Sequence, residues 1–192
     1  MKKLISLALV LAMALSILAG CGAPADNGGA NNEVAAPASA LEVLENIWNK
    51  YGEDEMFPVI GGNMESPVDG APGNYDMAYA ENLTYNLLVP AENLASVDEA
   101  ATMIHMMNAN TFTSGVVHLT EGTDVAAFVQ TMREAVQNNQ WMCGFPETLV
   151  IAVIDNAYVL VAFGVNDAMT PFQTHLAEAF ANADVQVNEA IG

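Results

Sequence analysis

The sequence predicts an α+β domain of two layers, an antiparallel sheet with helices mainly on one face. Three observations carry that expectation. Helical and β-rich stretches alternate regularly from residue 112 onward, and Asp155-Asn156 forms a candidate turn between two apolar runs. The chain is also 53% hydrophobic over 192 residues, ample for a real core and incompatible with disorder throughout.

The first expected element is a helix. Ser39-Ala40-Leu41-Glu42 has capping-box spacing, in which a hydroxyl and a carboxylate each satisfy a free backbone N–H. Leu41, Leu44, Trp48 and Tyr51 follow at helical intervals, and Gly52 closes the segment. Residues 52 to 75 then hold Gly52, Pro58, Gly61, Gly62, Pro67, Gly70, Pro72 and Gly73. That density of breakers predicts a long loop, and such loops often carry function. Leu83 to Pro90 reads as a short strand stopped by the proline. A second capping box, Ser96-Val97-Asp98-Glu99, predicts a helix running to about Asn108.

The later part of the chain is more regular. Phe112 to Leu119 reads as a strand, Asp124 to Gln137 as a helix, and Leu149 to Ile154 as a buried strand paired in a hairpin with Tyr158 to Phe163. Asn166 is placed to cap a helix from Asp167 to Ala181, with Pro171 tolerable only near its start. Val185 to Val187 supplies a short last strand. From about residue 112 the succession is β-α-β-β-α-β, that of ferredoxin-like two-layer folds.

The N-terminus bears on localisation. Met1-Lys2-Lys3 is a short basic region, and Leu4 to Leu18 is an apolar run of 15 residues interrupted by Ser6 and Ser16 alone. A spanning helix needs roughly 20 apolar residues, so the run suits a signal segment better. Leu18-Ala19-Gly20-Cys21 resembles the lipobox of bacterial lipoproteins. The resemblance implies a diacylglyceryl thioether on Cys21 and cleavage after Gly20; an ordinary secretory signal followed by an unrelated cysteine is the alternative. Residues 22 to 38, rich in Gly, Ala, Asn and Pro, read as a flexible tether with a reach of roughly 20 to 25 Å. The expected organisation is therefore a signal peptide over 1–20, a lipidated cysteine and tether over 21–38, and a single globular domain over 39–192.

Charge excludes one class of partner. Asp and Glu number 23 against 4 Lys and Arg, a net charge of -19. Loss of residues 1–20 would remove Lys2 and Lys3 and leave Lys50 and Arg133 against all 23 carboxylates, 2 - 23 = -21. A nucleic-acid binder needs clustered cations to displace counterions, so no nucleic-acid partner is expected.

Candidate chemistry is sparse. Cys143 is the one thiol of the expected domain, inside the stretch from Asn139 to Pro146. A thioredoxin-like role fails because no second cysteine follows, and Pro146 and a strand stand where a helix would have to lower the thiol pKa. Three readings stand for Cys143: a buried small hydrophobe, which is favoured because free cysteine is usually buried; a nucleophile with His105, His118 or His175 as base; or a metal ligand. Met103, His105, Met106 and Met107 offer soft donors of the kind that suit Cu(I), although 103, 106 and 107 would share a helix face where core residues also sit. His118, in an expected strand, and His175, in an expected helix, have no partner at recognised ligand spacing and read as structural or surface residues in preference to catalytic ones. Glu53-Asp54-Glu55 lacks the pattern of a calcium loop and reads as a solvated helix exit, with a weak calcium contact as the alternative. No phosphate loop, nucleophile elbow or HExxH helix occurs, so no cofactor is expected.

LTYNLLVP (83 to 90), MNANTF (107 to 112) and NNQWMCGFPETLVIAVI (138 to 154), with the lipobox, resemble a group of small acidic lipoproteins of Gram-positive bacteria whose domain has no assigned function. The resemblance implies a one-domain architecture outside the membrane and transfers no catalytic residue. Two functions compete. The favoured one is a membrane-anchored, noncatalytic domain that binds a ligand or partner through residues 53 to 75 and 138 to 147, with Trp141, Met142 and Phe145 as contact anchors if they are exposed. The other is an enzyme using Cys143 with a histidine base.

Overall fold

The structure, a computed structural model, describes residues 36–192; the expected signal peptide, Cys21 and most of the tether lie outside the described residues. The first helix, α1 (Ala40–Trp48), starts where the capping box placed it, with Ser39 Oγ accepting from the Glu42 N–H at 3.0 Å. The reciprocal contact is shifted by one residue: the Glu42 carboxylate accepts from the N–H of Ala38. Ala40, Val43, Leu44, Ile47 and Trp48 form the buried face.

The breaker-rich segment is not one loop. It folds into three short strands, β1 (Val59–Gly61), β2 (Val68–Asp69) and β3 (Gly73–Asn74). Its glycines allow backbones to touch: a Cβ on Gly61 would stand 2.1 Å from the Gly73 nitrogen, so any side chain there would force the strands apart.

Two expectations are corrected in the next part of the chain. The strand expected at 83 to 90 is a helical turn, α2 (Leu83–Asn86), flanked by 3-10 turns at Met77–Asn82 and Ala91–Ser96. Leu83 and Leu87, four residues apart, are both fully buried, and the Leu83 carbonyl accepts from the N–H groups of Leu87 and Val89. A one-sided apolar pair at that interval favours a helical turn over a strand, whatever the β-propensity of Thr84 and Tyr85. The helix expected from the second capping box is instead a strand, β4 (Val97–His105). Glu99 does not cap its own segment; its carboxylate accepts from the Ala40 N–H at 2.9 Å and so helps start α1. Ala100 to Met103 are buried, with β5 on one side and β1 and β3 on the other, and this pairing overrides the local helix signal.

The remaining elements match the expected order: β5 (Phe112–Leu119), α3 (Val125–Gln137), β6 (Thr148–Ile154), β7 (Tyr158–Gly164), α4 (Asn166–Ala179) and β8 (Asp184–Ala190). Asp124 caps α3 through the Ala127 N–H, and the β6-β7 turn holds Asp155 and Asn156 at φ 50° and 57°, values these two residue types tolerate well. Asn166 is the first residue of α4 rather than its cap; its own N–H is satisfied by the Glu147 carboxylate at 2.7 Å. Pro171 lies in the second turn of α4, deeper than expected.

All pairings in the eight-stranded sheet are antiparallel, in the order β2-β1-β4-β5-β7-β6-β8 with β3 also on β4. β5 and β6 run parallel with β7 between them, a split β-α-β unit. β8 closes on the outer edge of β6, while β4 occupies the edge of β5 where a ferredoxin-like sheet would place its last strand. The fold is α+β with an antiparallel sheet, and α1 and α4 share one face, packed on Val116, Val150, Ala152 and Leu160. The opposite face is covered as well, by α3 and by Leu83, Leu87 and Val89, packed on Val117, Leu149, Ile151 and Val161. The strands from β4 to β6 are therefore apolar on both faces, and the domain has three layers where two were expected.

Candidate functional site

The end of the sheet where β4 finishes and β5 begins gathers three loops. Phe112 pairs with Gly164, Gly164 with Thr148, and His105 with Val59, so all of these residues lie at one end. The first loop, residues 52–58, is tied to the second by the Met106 N–H, which donates to the Pro58 carbonyl at 3.0 Å. Phe57 stacks on His105 with ring centroids 5.8 Å apart. The second loop, residues 106–111, holds the third, residues 138–147, through two asparagine side chains. Asn108 Nδ2 donates to the Cys143 carbonyl at 2.9 Å, and Asn110 Nδ2 donates to those of Met142 at 2.7 Å and Gly144 at 3.1 Å.

Three successive carbonyls are thus engaged from one side. The chain bends to present them, with Cys143 at φ 62° and Gly144 at φ 139°. A left-handed cysteine costs on the order of 1 to 3 kcal/mol. Three hydrogen bonds at about 1 kcal/mol each are enough to offset it. Side chains on this turn are exposed: Met142 is 78% and Phe145 73% accessible, and Cys143 is exposed as well. Met107 on the neighbouring loop is 81% accessible, with Met106 and Met56 each at 47%.

The expected contact anchors therefore divide. Met142 and Phe145 stand in solvent. Trp141 is half-buried, its ring 5.3 Å from that of Phe163, and it pins the base of the loop to the core. Burial of Cys143, the favoured reading, is corrected: the thiol sits at the apex of a turn that the two asparagines hold outward. Among the described residues no hydrogen bond joins its sulfur to a histidine. His105 Nδ1 accepts from the N–H groups of Met107 and Asn108, shaping the second loop. His118 Nδ1 lies 2.6 Å from Asp98 at the other end of β5. His175 is buried, with Nδ1 3.0 Å from Glu178 and Nε2 3.3 Å from a Glu55 oxygen, out of line for a hydrogen bond.

Met103, Met106 and Met107 do not share a helix face. Met103 is in the core beneath the sheet, whereas Met106 and Met107 lie past the end of β4. Among the described residues no group of three His, Cys, Asp or Glu side chains is placed to hold a metal ion. Glu55 joins a small polar cluster at the first loop: the Tyr51 ring packs tilted against that of His175 with centroids 4.4 Å apart, and burial, with Glu55 adding to it, pushes the Tyr51 phenol well above its ordinary range.

Asn108, Asn110 and Met56 were not singled out from the sequence. Asn-rich loops beside exposed methionines are a usable signal, but one that emerges only when residues 106–111 are read as a loop and not as the end of a helix. No protein-family model matches the chain, and no curated protein or solved structure matches it.

Proposed function

We propose that the protein is a membrane-anchored extracytoplasmic lipoprotein, held by lipid on Cys21, whose domain binds a partner without catalysis. The observation that supports the binding reading is the exposure of Met107, Met142 and Phe145 on two loops that hydrogen bonds lock together. With the loop backbone already braced, contact has to order the apolar side chains alone and not the loops that carry them, which suits docking. The lipobox and the resemblance to small acidic lipoproteins of Gram-positive bacteria support the anchor. In this reading the β5 to β8 portion is a ferredoxin-like unit whose last strand has moved to the opposite edge.

Two measurements test the proposal. Cys21→Ala is expected to move the protein from the membrane fraction to the soluble extracytoplasmic fraction; unchanged membrane retention together with an unlipidated wild type overturns the anchor. A photoreactive residue replacing Met142 is expected to crosslink a partner in intact cells, while the same residue at Glu121, beyond the far end of β5, does not. Equal or absent crosslinking at the two positions removes the docking surface.

Cysteine chemistry is the second reading, favoured by the exposure of Cys143. It requires the folded protein to react with a thiol reagent near neutral pH faster than free cysteine does, and a rate at or below that of free cysteine dismisses it.

A further inference from the structure

We infer that the methionine-rich end of the domain docks a cationic, apolar peptide segment of its partner. This rests on the docking reading above and adds the chemistry of the occupant.

The anchors are thioethers and one aromatic ring: Met56, Met106, Met107, Met142 and Phe145. Methionine is unbranched and polarizable, so a methionine surface repacks around apolar side chains of differing shape. The rim is acidic. Glu53, Asp54 and Glu55 directly precede Met56, Glu147 follows Phe145 by two residues, and Asp167 lies in the first turn of α4 at the same end; all five are exposed. Among the described residues the cations are Lys50 and Arg133. Arg133 is occupied, its Nε 2.7 Å from Glu189, which leaves Lys50 alone to offset the rim.

That combination selects among occupants. A neutral or acidic partner would dehydrate the rim carboxylates without compensation, or set like charges together. A second copy would bring two acidic rims face to face, and an anionic lipid surface meets the same repulsion. A segment with apolar residues on one side and Lys or Arg on the other satisfies both parts of the surface. Ala40 lies at the opposite end of β4 from this tip: its N–H bonds Glu99, which pairs with His118 near the start of that strand.

The test uses the full chain in phosphatidylcholine nanodiscs and two amphipathic 14-residue peptides of equal leucine content, one with lysine and one with glutamate as the polar residue. The lysine peptide is expected to bind about tenfold more tightly than the glutamate peptide, and to weaken as salt rises. Met107→Ser with Met142→Ser and Phe145→Ser should weaken lysine-peptide binding about tenfold or more, and Glu53→Gln with Asp54→Asn and Glu55→Gln by severalfold. Met64→Ser, at a 90% exposed site between β1 and β2, should change nothing. All these positions are exposed, and an unchanged thermal midpoint verifies that each variant is folded.

Equal binding of the two peptides, or a lysine affinity indifferent to the charge variant, overturns the cationic partner while Met142 crosslinking still speaks for a docking surface. Lysine-peptide binding that the serine variant leaves intact overturns the tip as its seat. Binding to phosphatidylglycerol vesicles, or dimerisation, that the serine variant abolishes in place of peptide binding assigns the tip to lipid or to a second copy and overturns the inference.

Discussion

Tyr51 and Tyr75 are buried, and neither hydroxyl has a hydrogen-bond partner among the described residues. Burial, with Glu65 and Glu81 contributing after it, pushes Tyr75 up to about 12, and Tyr51 is displaced in the same direction. A phenol raised in the fold above its ordinary value near 10 contributes stability that is complete below about pH 10 and is lost as pH rises through the folded value, because the unfolded chain ionises first. Stability is therefore expected to fall from about pH 10 to 12, measured by denaturant unfolding across that range. Tyr51→Phe and Tyr75→Phe should flatten the fall, and at neutral pH each should be neutral or stabilising by about 1 kcal/mol, since each removes an unpaired buried hydroxyl. A loss of several kcal/mol would show that the hydroxyls are bonded. At this scale the sequence named Met142 and Phe145 as contact candidates on condition of exposure, and both are exposed, but it showed neither the inward turn of Trp141 nor the outward one of Cys143. Side chains three or fewer residues apart receive opposite environments here, and Asn108 and Asn110, more than thirty positions away, brace the turn that separates them.

Helix α3, strands β5 to β7 and the turn at Asp155-Asn156 were legible because local propensity, capping and apolar pattern agree with the tertiary contacts there. Residues 83 to 105 were misread where they disagree. Ser96 to Glu99 carries a helix-start pattern, yet hydrogen bonding to β5 along seven paired residues and to β1 and β3 on the other side decides for a strand. Leu87 illustrates how the segment docks. Its two methyl carbons would lie 2.6 Å from a Cβ on Gly115, so β5 carries a glycine where the α2 turn enters the core. Gly115→Ala is expected to lower stability by about 1 to 3 kcal/mol through overpacking. Leu87→Ala alone should cost about 2 to 5 kcal/mol, and the double variant should lose clearly less than the sum, because the added methyl occupies the vacated space. Additive losses in denaturant unfolding would mean that the two side chains do not compete for one volume.

Across the molecule, acidity constrains everything else. With Arg133 paired to Glu189, and the Glu189 carboxyl held below its usual range mainly by that hydrogen bond, few of the 23 carboxylates have a cation to meet. The fold is held by two apolar layers against the repulsion of its own surface. Raising ionic strength at neutral pH should therefore raise the unfolding temperature, and divalent cations should do so at lower concentration; a midpoint independent of salt would contradict this. The sequence by itself determined the charge, the α+β class and the alternation from Phe112 onward, since these depend on composition and on patterns within a dozen residues. Tertiary structure alone decided the third layer, the place of β4 and β8 in the sheet, and the meeting of residues 52–58, 106–111 and 138–147 at one end. Each of those depends on which strand edge pairs with which, and that choice is made between segments far apart in the chain, where the burial of both faces of one sheet outweighs the preference of any single stretch.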